Sequence, residues 1–415
     1  MSRRRLDAGS LELGGGLEVL LQATLETLAA GDELDVALAS RHAALELPGW
    51  VRVAGHETVS ESDHGRGADR RFSVRIRKGD ARRSLAGAAG ARGQPMGGDG
   101  RVRVADLRAV EAVPAHAPPG RGLAPVGALE EPSAGTARWQ LNDRDRLWST
   151  KVGELAERAA LAQWDATTDI PWEAAAGLSE TVERAVSQVM TYIAQNEYAA
   201  FYIPARHLSR VNPAYLEIVM WLASHVHDEA RHVEVFTKRA LAGGIRSPAL
   251  ASTELSLQTL LDEHDFTAAA LLLNVLGEGT FLDLLGFIAR HAPDRATATA
   301  ALLAHRDERR HVRFGVAHIR ARLAADPDER AVLVAAVERR AARLTTLEGL
   351  SPAVLESLQV MSARSLAPAD LADAAAAVRG LMARMGENRL RRLRAAGFDA
   401  ATARHLSDLH TPNLM

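Results

Sequence analysis

The pattern of apolar and polar positions divides the chain into three zones. Up to about residue 80, short stretches that alternate with period two interchange with stretches of helical period. We predict strands at residues 4–13, 33–38 and 71–77, and helices at residues 17–28 and 41–53. This order predicts a small α+β module over residues 1–80.

The second zone, residues 81–137, has no sustained period and is rich in Gly, Ala, Pro and Arg. Six prolines interrupt it between Pro95 and Pro132. Such a composition is typical of a long linker, or of an extended segment that lies over the next domain. The pattern leaves both alternatives open.

The third zone, from residue 138 to 415, is helical throughout. Breaks at Asn212-Pro213, Gly243-Gly244 and Pro293 separate four long apolar-periodic segments. These segments cover residues 179–209, 213–241, 265–291 and 295–324, and shorter ones follow over 330–415. We therefore predict a mainly α protein, in which a four-helix bundle at 179–325 carries extra C-terminal helices and follows the small α+β module.

Composition narrows the chemistry of this 415-residue chain. It contains no cysteine, which excludes disulfides, thiolate metal sites and cysteine nucleophiles. Its 50 basic and 52 acidic side chains nearly cancel, so charge favours neither nucleic acid nor an anionic membrane as a partner. The N-terminus lacks an apolar signal region, and the longest apolar run, residues 266–276, is too short to span a membrane. We expect a cytoplasmic protein.

The candidate chemistry lies in a repeated string, Asp-Glu-x-Arg-His, at residues 228–232 and 307–311. A lone glutamate precedes each copy by about thirty residues, at Glu197 and Glu278. Within each copy Glu and His are three apart, so both project from one helix face. Four glutamates and two histidines in matching halves are the ligand set with which a four-helix bundle holds two metals.

Counting residues places the ligands at similar heights in the bundle. Glu278 and Glu308 each lie about 13 residues from the turn between their helices, which is roughly 20 Å of helix. A single Glu-x-x-His match is most often an exposed surface pair. The apolar context of Glu278, however, would bury an unpaired carboxylate at a cost of several kcal/mol, and a metal removes that cost.

These motifs resemble those of ferritin-like di-iron carboxylate proteins over residues 145–325, and the oxygenase branch more than the ferritins. The resemblance implies two iron ions, or an iron–manganese pair. The implied ligands are Glu197, Glu229, His232, Glu278, Glu308 and His311, with Glu229 and Glu308 as the main bridges. It further implies that Asp228 and Asp307 accept hydrogen bonds from ligating imidazoles. Arg231 and Arg310 would neutralise those aspartates, although Arg310 also fits a solvated surface position.

Some positions near the motifs stay open. His225 lies one turn before Glu229 and is either a seventh ligand or an ordinary inner-face polar residue. The monooxygenases that the motifs resemble commonly carry a threonine one turn after the third glutamate, where this chain has Leu282. One turn from the ligands we expect a substrate pocket or ordinary packing, formed by Ile193, Ala194, Ala200, Phe201, Phe281 and Leu282.

The N-terminal zone resembles the TusA/SirA sulfur-carrier fold, in its Leu47-Pro48-Gly49-Trp50 segment and the strand pattern at 71–77. The reactive cysteine of that family would precede the first helix, where this chain has Gly14-Gly15-Gly16. The resemblance therefore implies a carrier-like fold without persulfide chemistry, and a docking or regulatory role is our hypothesis for it.

Together these patterns predict an O₂-activating di-iron oxidase or oxygenase that hydroxylates or N-oxygenates a small organic substrate. An external electron donor is expected, since no flavin or nicotinamide fingerprint occurs in the sequence. A homodimer is compatible with this interpretation. Two alternatives remain: an iron-oxidising or iron-storing protein, and a non-catalytic bundle that serves only structure or interaction.

Overall fold

The N-terminal unit is a four-stranded mixed sheet with two helices. In this computed structural model, which describes residues 2–65, 71–80, 100–126, 138–149, 151–345 and 351–410, the sheet order is β1-β2-β4-β3. β1 and β2 are parallel, and β4 pairs antiparallel with both β2 and β3. The elements are β1 (Arg3–Asp7), α1 (Leu17–Glu26), β2 (Glu33–Leu38), α2 (Arg41–Val53), β3 (Glu57–His64) and β4 (Arg71–Arg77).

Alternation explains why this unit folds as it does. In β2 every second side chain is buried, and Leu34, Val36 and Leu38 meet the apolar face of α1 and α2 in one core. β1 is shorter than predicted and ends at Asp7, since Gly9 then turns the chain with a φ of 55°. β3 was not predicted, because most of its side chains are exposed at the sheet edge and show no alternation.

The second unit is helical, and the four predicted long segments form its centre. These are α5 (Glu180–Leu208), α6 (Leu216–Ala242), α8 (Phe266–His291) and α9 (Arg295–Ala325). Around them lie α3 (Leu107–Val110), α4 (Val152–Leu161), α7 (Ala251–Leu261), α10 (Glu329–Arg343), α11 (Pro352–Ser362), α12 (Pro368–Ala395) and α13 (Ala400–Leu409). The predicted mainly helical fold, a four-helix bundle with appended helices and a small sheet unit before it, is confirmed.

Residues 100–126 belong to the helical unit. The Ala117 N–H donates to the carbonyl of Asn142 and to the hydroxyl of Tyr215, and Ala117 is buried in the apolar cluster around Trp221. Over this stretch the predicted zone therefore lies on the helical unit. Its remaining residues, 81–99 and 127–137, lie outside the described residues.

α8 departs from regular helix in its middle. Residues Leu271–Gly277 form a π-helical segment that leads directly into Glu278. The helix is long and apolar enough to cross a membrane, but 83% of its apolar 18-residue stretch is buried inside the protein. A core helix of a bundle has these properties, because it is surrounded by other helices instead of lipid.

Candidate metal centre

Seven titratable side chains meet in the interior of the bundle. α5 contributes Glu197, and α8 contributes Glu278 from the end of its π-helical segment. α6 and α9 contribute the repeated motifs, and all seven side chains are almost fully buried. The set is Glu197, His225, Glu229, His232, Glu278, Glu308 and His311. The structure thus brings together all six predicted ligands, together with His225.

The seven residues form two adjoining clusters in the described part of the chain. One cluster is His225, Glu229, Glu278 and His311, and the other is Glu197, Glu229, His232 and Glu308. In each cluster the candidate ligand atoms lie within 4.8 Å of one another, and Glu229 belongs to both. The prediction of a two-metal cofactor is confirmed to this extent: two buried carboxylate–imidazole clusters are present, each able to hold one ion.

Glu229 and Glu308 lie between the two motif histidines. Glu229 Oε2 is 3.2 Å from His232 Nδ1, and its Oε1 is 2.9 Å from His311 Nδ1. Glu308 has the same relation, with Oε1 3.5 Å from His232 Nδ1 and Oε2 3.3 Å from His311 Nδ1. Each carboxylate therefore reaches both halves of the centre, which is the position that a bridging ligand requires.

His225 belongs to the centre and not merely to the inner face of α6. Its Nε2 is 3.0 Å from Glu278 Oε1 and 3.3 Å from Glu229 Oε1. Its ring lies 3.9 Å, centroid to centroid, from the ring of His311. With His225, one cluster offers two imidazoles and two carboxylates, whereas the other offers one imidazole and three carboxylates. The centre is therefore asymmetric in nitrogen and oxygen ligands.

The two motif aspartates pair crosswise with the motif histidines. His232 Nε2 lies 3.4 Å from Asp307 Oδ2, and His311 Nε2 lies 3.3 Å from Asp228 Oδ2. Each aspartate therefore serves the imidazole of the other motif. In the neutral imidazole, a carboxylate on Nε2 holds the proton there and leaves the lone pair on Nδ1, which suits metal ligation.

Two buried arginines neutralise these aspartates. Arg310 Nη2 is 2.9 Å from Asp228 Oδ2 and also donates to Asp307. Arg231 Nη2 is 3.0 Å from Asp307 Oδ2 and also donates to Asp228. Arg310 is therefore part of this network, and the alternative of a solvated surface arginine does not hold for it. The charges of the two aspartates and the two arginines cancel. The negative charge of the glutamate ligands is therefore left for a metal to neutralise.

Sequence reasoning missed two side chains that support the network. The Trp164 indole N–H donates to Asp307 Oδ2 at 2.7 Å, and the Arg231 guanidinium lies over the Trp164 ring. Gln163 is placed beside it and accepts a hydrogen bond from Arg231. Both residues follow α4 in an irregular segment, so no helical period links them to the motifs.

In the metal-free centre, the pKa values of several candidate ligands are shifted from their ordinary values. Burial, reinforced by the charge of Glu229, raises the pKa of Glu197 well above its ordinary value. Burial opposes the charged form of His232, yet the Glu229 charge and the hydrogen bond to Asp307 raise the pKa of His232 well above 6.5. The pKa of Glu229 is lowered well below 4.5, since three imidazoles outweigh its burial. In the metal-free protein, protonated imidazoles therefore supply the positive charge next to the buried carboxylates.

The centre nevertheless leaves donor atoms without hydrogen bonds. Among the described residues, Glu197 Oε1, Glu229 Oε1, both carboxylate oxygens of Glu308 and His311 Nδ1 are buried and make no well-aligned hydrogen bond, although Glu229 Oε1 and His311 Nδ1 lie 2.9 Å apart. Unpaired buried polar atoms are costly, and here they point at one another across the two clusters. Carboxylate oxygens and imidazole nitrogens at this spacing fit iron or manganese. The residues present therefore fit a two-metal cofactor.

Asn274 is a further residue of the centre that the sequence analysis did not single out. Its Nδ2 donates to Glu278 Oε2 at 2.6 Å from one turn earlier in α8. The available signal was an asparagine inside the apolar run that precedes Glu278. The π-helical segment carries Asn274, and its geometry cannot be read from a pattern of period 3.6.

In the part of the chain that the structure describes, the six residues predicted to line a pocket lie in different surroundings. Ile193, Ala194, Ala200 and Phe281 are buried in the main apolar core, and Phe201 is half-buried against Tyr202. Leu282 lies in a different groove with Leu155 and Val312. Thr280 points back to the carbonyl of Leu276. None of the six lines the small cavity that reaches His225 and Asn274.

Comparison with known proteins shows a distant structural likeness. No protein-family model matches this chain, and no curated protein matches it. Thirty-five chains of solved structures match. They include an R2-like ligand-binding oxidase with an aerobically reconstituted metal cofactor after photoconversion, at 18% identity and a TM-score of 0.40, covering 63% of this chain and 90% of that one.

A variant of an R2-like ligand-binding oxidase with an anaerobically reconstituted Mn/Fe cofactor matches at 18% identity and a TM-score of 0.42. That match covers 58% of this chain and 94% of the other. Overlap this low does not transfer a function from those proteins. The candidate metal centre therefore rests on the side chains of this chain, where two buried clusters share one glutamate.

Proposed function

We propose that the helical unit binds two transition-metal ions and uses O₂ to oxidise a small organic substrate. The observation that carries the proposal is the pair of buried clusters joined by Glu229, with unpaired donor atoms at their centre. A structural bundle would fill this space with apolar side chains, because burying such a set without a metal is unfavourable.

The ligand chemistry favours a pair of iron ions, with an iron–manganese pair as the next candidate. Carboxylates suit both metals, and the cluster with two imidazoles suits iron better than manganese. Bound there, two redox-active ions would supply the electrons that activate O₂ for substrate oxidation. Glu197, His225, Glu229, His232, Glu278, Glu308 and His311 would hold them.

The protein itself would orient the metal ligands, exclude water from the centre and balance the charges around it. Asp228 and Asp307 fix the imidazole tautomers, while Arg231 and Arg310 keep those aspartates ionised in the interior. We further propose that electrons come from an external donor, because the sequence has no flavin or nicotinamide fingerprint. Hydroxylation and N-oxygenation are the reaction types that we propose, without a preference between them.

Anaerobic titration of the chelator-treated protein with Fe(II) tests the proposal. We expect two equivalents bound per chain, and O₂ consumption when the loaded protein meets air. Glu229→Ala should abolish tight binding of both equivalents, because this residue belongs to both clusters. Glu234→Ala, an exposed position on the same helix, is the matched control and should bind normally.

Three outcomes separate the alternatives. No metal bound by the wild-type protein, or equal binding by the two variants, would contradict the enzyme proposal and leave a structural bundle. Continued oxidation of Fe(II) far beyond two equivalents per chain would instead support iron oxidation. Stoichiometric binding, one limited burst of O₂ consumption in air, and further O₂ consumption only when a reductant is added support the oxidase or oxygenase.

For the N-terminal unit we propose a docking or regulatory role on a TusA-like fold. Its βαβαββ order and the Gly14-Gly15-Gly16 segment in place of a nucleophile support the proposal. The full chain and a chain without residues 1–80 should differ in activity or in capture of a protein partner. No difference in either would contradict it.

A further inference from the structure

A narrow cavity lies beside the metal centre, between α5, α6, α8 and α9. Its volume is about 20 Å³, which is room for one water molecule. His225 and Asn274 form its end at the metal centre, and His207 lines it from the last turns of α5. The other lining side chains are apolar or small: Ile203, Pro204, Leu222, Phe266, Ala269, Ala270, Leu273 and Phe314.

Two irregular stretches of helix form opposite walls of this cavity. Pro204 lies inside α5, where it lacks an N–H and so frees a carbonyl one turn earlier. Leu273 and Asn274 belong to the π-helical segment of α8, and such segments occur often at functional sites. Walls with interrupted hydrogen bonding can yield more readily than regular helix.

The imidazole of His207 is a buried polar group that makes no hydrogen bond to any described residue. Its side chain is 2% exposed, and neither ring nitrogen has a hydrogen-bond partner among the described residues. Burial, together with the charges of Arg206 and Arg210, lowers the pKa of His207 to about 3. The imidazole is therefore neutral, so it offers one N–H donor and one nitrogen acceptor to the cavity.

From this juxtaposition we propose that the cavity opens between Pro204 and the π-helical segment to receive the organic substrate, and that His207 positions it by hydrogen bonding to an uncharged polar group. The assignment of a reaction to that molecule rests on the proposed function, whereas its binding does not. The substrate would be small, mainly apolar and neutral, with a hydroxyl, amide or similar group. A carboxylate would enter this apolar space without a counter-charge from His207, at a large desolvation cost.

The absence of cysteine from the chain allows a clean test of where small molecules enter. Ala270→Cys places a thiol in the wall of the cavity, and Ala194→Cys places one in the main apolar core, away from the cavity. The two alanines are similarly buried, at 5% and 7% exposure. We would treat both metal-free variants with methyl methanethiosulfonate and follow the mass of the intact chain with time.

We expect Ala270→Cys to react at least ten times faster than Ala194→Cys. Equal rates, or faster reaction at Ala194→Cys, would overturn the placement of the substrate. If Ala270→Cys fails to fold, Ala269→Cys supplies a neighbouring thiol in the same wall. Melting temperatures measured beside the rates show whether a fast reaction reflects global unfolding.

The role of His207 is tested by protection of the Ala270→Cys thiol. In the wild-type background 1-hexanol should slow the modification at least fivefold, while hexanoate at the same concentration should not. His207→Leu should remove the protection, and His207→Gln, which keeps a donor and an acceptor, should retain most of it. A change in packing alone would affect both variants alike.

Unchanged protection in His207→Leu would show that His207 hydrogen-bonds only a trapped water molecule, and would overturn its role. Protection by hexanoate equal to that by hexanol would overturn the substrate class. Both experiments use metal-free protein, so they can succeed while the Fe(II) titration fails, and the reverse also holds. Failure of this inference is thus distinguishable from failure of the proposed function.

Discussion

The crosswise pairing of Asp228 with His311 and Asp307 with His232 couples the two motifs at the level of single atoms. Removing the charge of one aspartate should therefore weaken the metal held by the opposite motif. We expect Asp228→Asn to lower the affinity of the cluster that contains His311 by about 10- to 100-fold, the usual effect of losing such a partner. Calorimetric Fe(II) titration measures it, with exposed Glu234→Gln as control.

His225 belongs to only one of the two clusters, so its substitution should weaken metal binding at that cluster alone. His225→Leu removes one imidazole from the cluster with Glu278, so we expect one tight Fe(II) equivalent per chain instead of two. His227→Leu, an exposed histidine two residues along the same helix, should leave both. Two tight equivalents in His225→Leu would show that six ligands suffice.

His318 supplies a pH dependence away from the metal ligands. Its Nε2 lies 3.1 Å from Thr267 Oγ1 and its Nδ1 3.3 Å from the Trp148 carbonyl, and burial lowers its pKa to about 4. The unfolded chain, with a histidine pKa near 6.5, binds the proton first as pH falls. Its contribution to the free energy of unfolding is therefore present above pH 6.5 and is lost towards pH 4.

Between pH 7 and pH 5 this histidine should remove about 2 kcal/mol from the free energy of unfolding. In His318→Gln the free energy of unfolding should fall by about 2 kcal/mol less between pH 7 and pH 5 than in the wild-type protein. This holds even if the substitution changes the stability at pH 7. Urea unfolding of both proteins at the two pH values measures it. Parallel losses in the two proteins would mean that His318 titrates normally in the folded state.

The metal ligands were predictable because they lie in, or at a fixed spacing from, the repeated Asp-Glu-x-Arg-His string. Glu and His three residues apart share a helix face in any sequence, and the upstream glutamates stand out in apolar surroundings. The crosswise pairing was not predictable, since it depends on how α6 and α9 lie against each other. Trp164 and His207 carry no periodic signal, and the cavity that His207 lines exists only in the packed structure.

At the scale of elements, the bounds of the long helices follow from proline and glycine. Asn212-Pro213 and Gly243-Gly244 enclose α6 within a few residues of its observed ends. β3 was missed because exposed edge residues do not alternate. The π-helical segment of α8 was missed because its side chains are buried on all sides and therefore show no period.

Gly315 on α9 faces that segment and should be intolerant of a side chain. A Cβ at this position would lie 2.5 Å from the Cβ of Asn274, which holds Glu278. We expect Gly315→Ala to lower the free energy of unfolding by about 1–3 kcal/mol, through overpacking, and to weaken Fe(II) binding. Chemical denaturation and metal titration measure the two effects.

Gly286→Ala on α8 is the matched control for this prediction. A Cβ there meets only ordinary contacts, the nearest 3.5 Å away, at Arg290. An alanine should therefore be neutral or stabilise the helix by about 0.5–1 kcal/mol, because glycine loses more conformational entropy on folding. A Gly315→Ala variant that behaves like Gly286→Ala would show that the π-helical segment adjusts freely.

At the scale of the helical unit, a second buried ionic network lies about two turns beyond His232 on α6. Arg239 is fully buried, with Nη1 2.6 Å from Glu183 Oε1, Nη2 2.9 Å from Asp294 Oδ2 and Nε 2.6 Å from Thr297 Oγ1. It joins α5, α6 and the start of α9. Unlike the metal centre, it contains a guanidinium group that contacts both of its carboxylates, Glu183 and Asp294.

A substitution in this network should therefore lower the stability of the bundle without affecting metal binding. Arg239→Met leaves Glu183 and Asp294 buried without a counter-charge, so we expect the free energy of unfolding to fall by about 3–5 kcal/mol. The folded variant should still bind two Fe(II) per chain, since none of the cluster residues contacts Arg239 in this network. Loss of one equivalent at unchanged stability would mean that this end of the bundle positions the ligands instead of holding the helices together.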